Sequence, residues 1–208
     1  MNIENIKKEF PIFDDKIQNN DLVYLDSANS AQKPKMVVDR IYDFYTKEFS
    51  NVGRSVHYLA VAATNLYEET RISVQKYLNA KDKYEIVFTK GATEAINLVA
   101  NTFGQKYLNE GDEVLITELE HHSNYVPWHF LRKAKNIKIK FAEINNEGEI
   151  TLESIKEKIT DKTKIISITH LSNVTGAILP IKEIVNLAHS KNIPVLVDGC
   201  QSAPHLKI

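Results

Sequence analysis

Residues 164–198 read KIISITHLSNVTGAILPIKEIVNLAHSKNIPVLVD, and the fold is decided there. Lys164–Thr169 is a short run rich in β-branched residues, Ile181–Ser190 repeats its apolar residues at helical spacing, and Pro194–Asp198 is a second short apolar run. Strand, helix and strand in that order imply parallel strands joined by a crossing helix, and so a parallel sheet covered on both faces. In sheets of this kind ligands bind beyond the carboxyl ends of the strands. The residues that follow each strand are therefore where chemistry is to be sought.

Toward the N-terminus the same punctuation continues. A helix is expected at Leu152–Ile159 with Thr151 as its cap, a strand at Ile137–Ile144, a helix at Val126–Ala134 and a strand at Glu113–Thr117 (EVLIT). Before these come a helix at Thr93–Leu108 and a strand at Glu85–Thr89 (EIVFT). Earlier still the pattern turns helical over Lys35–Phe49 and Ala60–Leu78, after an apolar segment at Leu22–Leu25. The expected fold class is α/β, a mostly parallel sheet with helices on both faces, preceded by a helical N-terminal arm. No repeat, low-complexity tract or proline-rich linker interrupts the run, so 1–208 reads as that arm plus one domain. With only ten residues after Asp198 and no closing helix, the sheet is expected to be incomplete.

Composition narrows the function classes. The 208 residues are 43% hydrophobic and 25% charged, as in ordinary globular proteins, and the net charge is -1. No basic excess points to nucleic acid or to an anionic membrane as partner. No apolar run approaches the roughly 20 residues of a membrane span, and the opening MNIENIKKEF lacks the apolar core of a secretory signal, so a cytoplasmic location is expected. The single cysteine, Cys200, excludes an internal disulfide and a thiolate zinc cluster.

Four strand ends carry candidate residues. After EIVFT, Gly91-Ala92-Thr93 opens a helix, where free N–H groups and a hydroxyl could cradle a phosphate or simply cap the helix. After EVLIT stand His121 and His122. Adjacent histidines rarely converge on one metal, so no metal site is expected; His121 could lie flat on a cofactor ring, move protons, or be hydrogen-bonded to the backbone. After KIISIT, Asn173 could hydrogen-bond a ligand or serve as a turn residue. After PVLVD, Asp198 ends an apolar strand, where a carboxylate calls for a cation or several donors, with Gln201 close behind. A cradle, an aromatic histidine, a hydrogen-bonding amide and an acid together are what pyridoxal 5'-phosphate (PLP) requires for its phosphate, ring face, phenolic oxygen and pyridinium nitrogen.

These residues also carry a resemblance. Tyr24–Pro34 (YLDSANSAQKP) is similar to the YLDSAASAQKP opening of the class V aminotransferases of PLP fold type I, within them the SufS-type cysteine desulfurases. Glu120–Asn124 with Val126-Pro127-Trp128 resembles that family's EHHxNxVPW stretch, and His170–Gly176 and Val197–His205 resemble its SNVxG and VDGAQxxPH motifs, in the same order. The resemblance implies that Thr93, with Ala92 beside it, binds the phosphate, that His121 stacks on the ring and transfers protons, that Asn173 and Gln201 face the phenolic oxygen, and that Asp198 pairs with the ring nitrogen. Ala92 replaces a second threonine of many relatives. Asn51–His57 resembles the NVHRGxH loop, placing Arg54 and His57, with Ala28, on the substrate side, although Gly53 and Ser55 depart from the pattern.

The implied activity is a PLP-dependent cysteine desulfurase that converts L-cysteine to L-alanine and passes sulfur, through an enzyme cysteine, to an acceptor protein of iron–sulfur cluster assembly, as a homodimer. The family's Schiff-base lysine (in an SGHK motif) and persulfide cysteine lie farther along than Ile208. The chain is thus expected to hold an incomplete large domain, without the small domain, and to be inactive alone. Cys200 falls on the alanine of VDGAQ, where a small buried residue is expected, and Lys207 on an outward loop. Selenocysteine lyase or another class V lyase, and a non-catalytic partner-binding scaffold, are the alternative functions.

Overall fold

The computed structural model describes residues 3–208, which fall into two compact units divided between Ile86 and Val87. In the first, a short helix α1 (Ile3–Lys7) precedes a two-stranded hairpin, β1 (Lys16–Ile17) and β2 (Asn20–Asp21). Its two-residue turn places Gln18 and Asn19 at positive φ, the conformation that matches the strand twist. Helix α2 (Lys35–Asp43) starts after Pro34, runs on as a π turn at Phe44–Glu48, and is followed by α3 (Tyr58–Tyr77). The helical arm expected from the sequence is present, with the small hairpin as an unforeseen addition.

The strand expected at Glu85–Thr89 is not formed. Lys83–Glu85 is a 3-10 turn: Asp82 accepts from the Tyr84 N–H at 2.9 Å, and Glu85 reaches back to the Lys81 N–H at 2.9 Å. The Arg71 guanidinium donates to the Ile86 carbonyl, and Lys83 pairs with Glu68 at 3.0 Å, which ties the segment to α3. Ile86 is extended, but residues 86–89 belong to none of the named strands. Alternating apolar residues make a strand only where a neighbour accepts the pairing.

The second unit is built on four parallel strands: β3 (Glu113–Thr117), β4 (Lys138–Ala142), β5 (Thr163–Thr169) and β6 (Val195–Asp198), in the order β4-β3-β5-β6. Side-chain alternation splits the core in two. Val114, Ile116 and Ile165 face one side, packing with Ala100 and Leu108 and with Trp128 and Leu131 of α6 (Val126–Lys135). Leu115, Ile166 and Ile168 face the other, against Ile155 of α7 (Leu152–Lys158) and Ile184 and Ala188 of α8 (Ile181–Ser190). Helices thus cover both faces, as expected. Thr151 caps α7 by accepting from the Ser154 N–H at 3.1 Å.

The helix expected over Thr93–Leu108 runs as α4 (Ala92–Val99), a π turn at Ala100–Gly104 and a last turn α5 (Gln105–Tyr107). Gly104 accounts for its close seating on α6. A Cβ there would lie 2.6 Å from Leu131 Cδ2, well inside van der Waals contact, so any larger residue would require the Leu131 side chain to move.

Candidate functional site

Because the strands are parallel, the chain leaves β3, β5 and β6 at one edge of the sheet. After β3 the chain turns through Glu118–His121 into a 3-10 turn, His122–Asn124, before α6. His121 is exposed, and its Nδ1 accepts from the Ser123 N–H at 3.1 Å and lies 2.8 Å from Ser123 Oγ. An Nδ1 that accepts leaves the proton of the neutral ring on Nε2. His122 points elsewhere, its ring 6.1 Å from that of His121 at 88°, where it lines a groove with Tyr125 and Phe141.

Flanking His121 in the chain is a polar cluster, half-buried at Glu120 and fully enclosed at Asn124. The Glu120 carboxylate accepts from Thr117 Oγ1 at 2.6 Å, Asn124 Nδ2 at 2.6 Å and the Thr169 N–H at 3.0 Å. Asn124, fully enclosed, accepts through Oδ1 from Ser167 Oγ at 2.6 Å and Trp128 Nε1 at 3.3 Å. Burial pushes the Glu120 carboxyl above the usual carboxylate range, further than these donors lower it, and Asp198 nearby adds to the rise.

After β5, the Leu171 to Ile178 bridge closes a tight loop with Asn173 exposed near its tip; the Ser172 hydroxyl accepts from the Val174 and Thr175 N–H groups. Asp198 ends β6 only 7% exposed. Its Oδ1 accepts from the Cys200 N–H at 3.0 Å, the one donor to that carboxylate recorded among the described residues. Gln201, half-buried, sits in the turn that follows.

Ala92 and Thr93 begin α4, which packs against the 122–124 turn. Gly91 precedes it at φ 158°, and Glu94 accepts from the Lys90 N–H at 2.6 Å. The first-turn N–H groups have no intrahelical acceptor, and Thr93 is exposed beside them. His121, Asn173, Asp198 and Gln201 are thus gathered at the strand ends, with α4 adjoining.

The other three candidates belong to the first unit. Ala28 lies in a turn closed by the Tyr24 hydroxyl, which donates to the Ser30 carbonyl; Arg54 is exposed in a bend; His57 caps α3, its Nδ1 accepting from the Ala60 N–H at 3.4 Å. Cys200 is exposed, against the expectation of burial, because the chain has already left β6 and begun to turn. Partial desolvation and the Asp198 carboxylate push its thiol up, away from nucleophilic reactivity. Lys207 is exposed, as expected. Sequence reasoning assigned no role to Glu120, Asn124 or Ser167, although an acid, an amide and a tryptophan at four-residue spacing, Glu120, Asn124 and Trp128, mark where a helix start could be wired inward.

The fold and edge are those of an α/β protein that binds its ligand at the carboxyl ends of parallel strands. Sequence comparison agrees: the chain belongs to the aminotransferase class-V family, which it matches over residues 23–208. A probable cysteine desulfurase of Halalkalibacterium halodurans is 46% identical over 208 residues, all of this chain and 51% of that protein. Among solved structures, the cysteine desulfurase CsdA of Escherichia coli superposes with a TM-score of 0.86 at 35% identity, covering 100% of this chain and 51% of that one. The apo cysteine desulfurase of Thermococcus onnurineus NA1 gives 0.89 at 34% identity, covering 98% and 49%. The chain spans about half the length of these relatives. No described helix is long and apolar enough to cross a membrane.

Proposed function

We propose that this chain carries the cofactor-holding part of a PLP-dependent cysteine desulfurase of the SufS type, which as a whole protein takes L-cysteine and hands its sulfur to an acceptor for iron–sulfur assembly, as a cytoplasmic homodimer. The observation that carries the reading is Asp198: a carboxylate buried at the end of a parallel strand with a single recorded backbone donor suits a cationic N–H partner. The other residues fit the same group. Thr93 and the N–H groups of the first turn of α4, Ala92 among them, would hold a phosphate; His121 would cover the ring; Asn173 and Gln201 would supply polar contacts to the phenolic oxygen. When bound, PLP supplies an electron sink for breaking bonds at an amino acid's α and β carbons.

Within this reading the chain's own residues do three things. Asp198 holds a proton on the ring nitrogen by charge. His121 stacks, and with Nδ1 occupied by Ser123 it can release a proton only from Nε2. Ala28, Arg54 and His57 are assigned to the substrate. The test is PLP binding by the 208-residue chain, followed by absorbance and fluorescence titration. The wild type is expected to bind, and Asp198→Asn to bind about tenfold or more weakly, roughly 1.4 kcal/mol. Equal binding by the two, or none by the wild type, refutes the reading.

A further inference from the structure

The recorded pairing of β3 with β5 ends at Leu115 and Ile166, although β3 runs to Thr117 and β5 to Thr169. Beyond that point the Thr169 N–H, on a buried residue, needs an acceptor that β3 does not give it. The Glu120 carboxylate is that acceptor, across 49 residues of chain. Four residues on, Asn124 is fastened to Ser167 on the same strand. The exposed His121 therefore stands between two attachments to β5, one part-buried and one buried. The polarity of the cluster is fixed from inside. Trp128 Nε1 can only donate, so Asn124 must turn Oδ1 to it and Nδ2 to Glu120; the Thr117 hydroxyl accepts from the Leu119 N–H and so gives its proton to Glu120.

We propose that Glu120 is a positioning residue for His121: its half-buried carboxylate replaces the missing strand partner of β5 and fixes the loop so that Ser123 holds the His121 ring in one tautomer and one direction. The proposal rests on the reading of His121 as the residue that covers the cofactor ring. Even a half-buried carboxylate gives up part of its hydration, and an apolar side chain there would leave the Thr169 N–H unpaired; what it yields is a ring set in place before any ligand arrives.

The test uses the 208-residue chain without ligand, reading the nitrogen shifts of the His121 ring and the amide exchange of Ser123 and Asn124, with His122 as internal control. In the wild type His121 should report the Nε2–H form. Glu120→Gln keeps an oxygen for Thr169 but sets its amide against Asn124 Nδ2; amide exchange of Ser123 and Asn124 should rise roughly tenfold and the His121 tautomers should mix, with His122 unchanged. Glu120→Ala should go further. The double variant Glu120→Gln/Asn124→Asp restores a donor facing an acceptor and should recover the wild-type signature, which also decides the matter if Glu120→Ala does not fold. A core variant of comparable melting temperature, Leu131→Ala, should leave His121 unaltered. The proposal is overturned if folded Glu120→Gln keeps the wild-type His121 signature, if the double variant restores nothing, or if Leu131→Ala has the same effect. A wild-type chain that ignores PLP would defeat the functional reading and leave these measurements to decide the role of Glu120.

Discussion

The two units are held by different means. In the second, two apolar cores clasp a sheet whose central strand β3 is buried along its whole length. In the first, the buried apolar residues among those described are Ala60, Ala63 and Ile86, while Leu25 and Val56 are 91% and 93% exposed. Its helices rest on local devices: the His57 cap, the i,i+4 pairs Lys35–Asp39 and Lys47–Asp43, and the stacked Tyr45 and Phe49 rings 5.5 Å apart. Exposed ion pairs, screened by solvent, contribute little and a cap only modestly, whereas a buried large side chain contributes several times more. Most of the stability of this chain should therefore reside in residues 87–208.

The sharpest way to break that comparison is to cut one large side chain from each unit. Trp128→Ala empties a fully enclosed site and should cost about 3–5 kcal/mol, measured by denaturant unfolding, whereas Tyr58→Ala should fall within about 0.5 kcal/mol of the wild type. Equal costs would show that the first unit has a core of its own weight. Next, Gly104→Ala should lose about 1–3 kcal/mol to overpacking against Leu131, less up to about 1 kcal/mol returned by the better helix former; placing it in a Leu131→Ala background should remove most of the loss. Thr151→Ala, which deletes the cap of α7, should cost about 1 kcal/mol.

The last prediction concerns pH. Burial raises Glu120 above 4.5, so the folded chain holds that proton more tightly than the unfolded one. Its contribution to stability is complete below the unfolded value and is lost as pH rises through the folded value. Asp43, Glu68 and Glu143, each lowered first by a lysine hydrogen bond, act in the opposite sense, but they are common to any variant at Glu120. The melting temperature of Glu120→Gln, taken relative to wild type, should therefore climb as pH rises from about 4 across this window, and a flat difference would place the Glu120 proton in solvent-like surroundings.

What could be read in advance follows the same division. From Glu113 onward the strands and helices fall where periodicity puts them, with Thr151 capping as its residue type suggests, because each element there buries its apolar stripe on the next. Glu85–Thr89 misled because EIVFT specifies a face and not a neighbour. The expected burial of Cys200 failed for a related reason: β6 ends at Asp198, and the turn that follows sets its own exposure. Asp198 and His121 stood out as polar residues at strand ends. Glu120, two residues along from the exposed Glu118, did not, since its meaning depends on a backbone N–H on β5, 49 residues away.

That separation has a kinetic side. Closing a loop of about 50 residues costs roughly 3.5 kcal/mol of chain entropy beyond a constant term, and nothing offsets it until β5 has docked beside β3. A chain emerging from the ribosome can form the EVLIT strand and α6 well before Thr169 exists to meet Glu120. The His121 turn should then be among the last parts of the molecule to settle, with folding rates nearly indifferent to Glu120→Gln and unfolding rates carrying its effect.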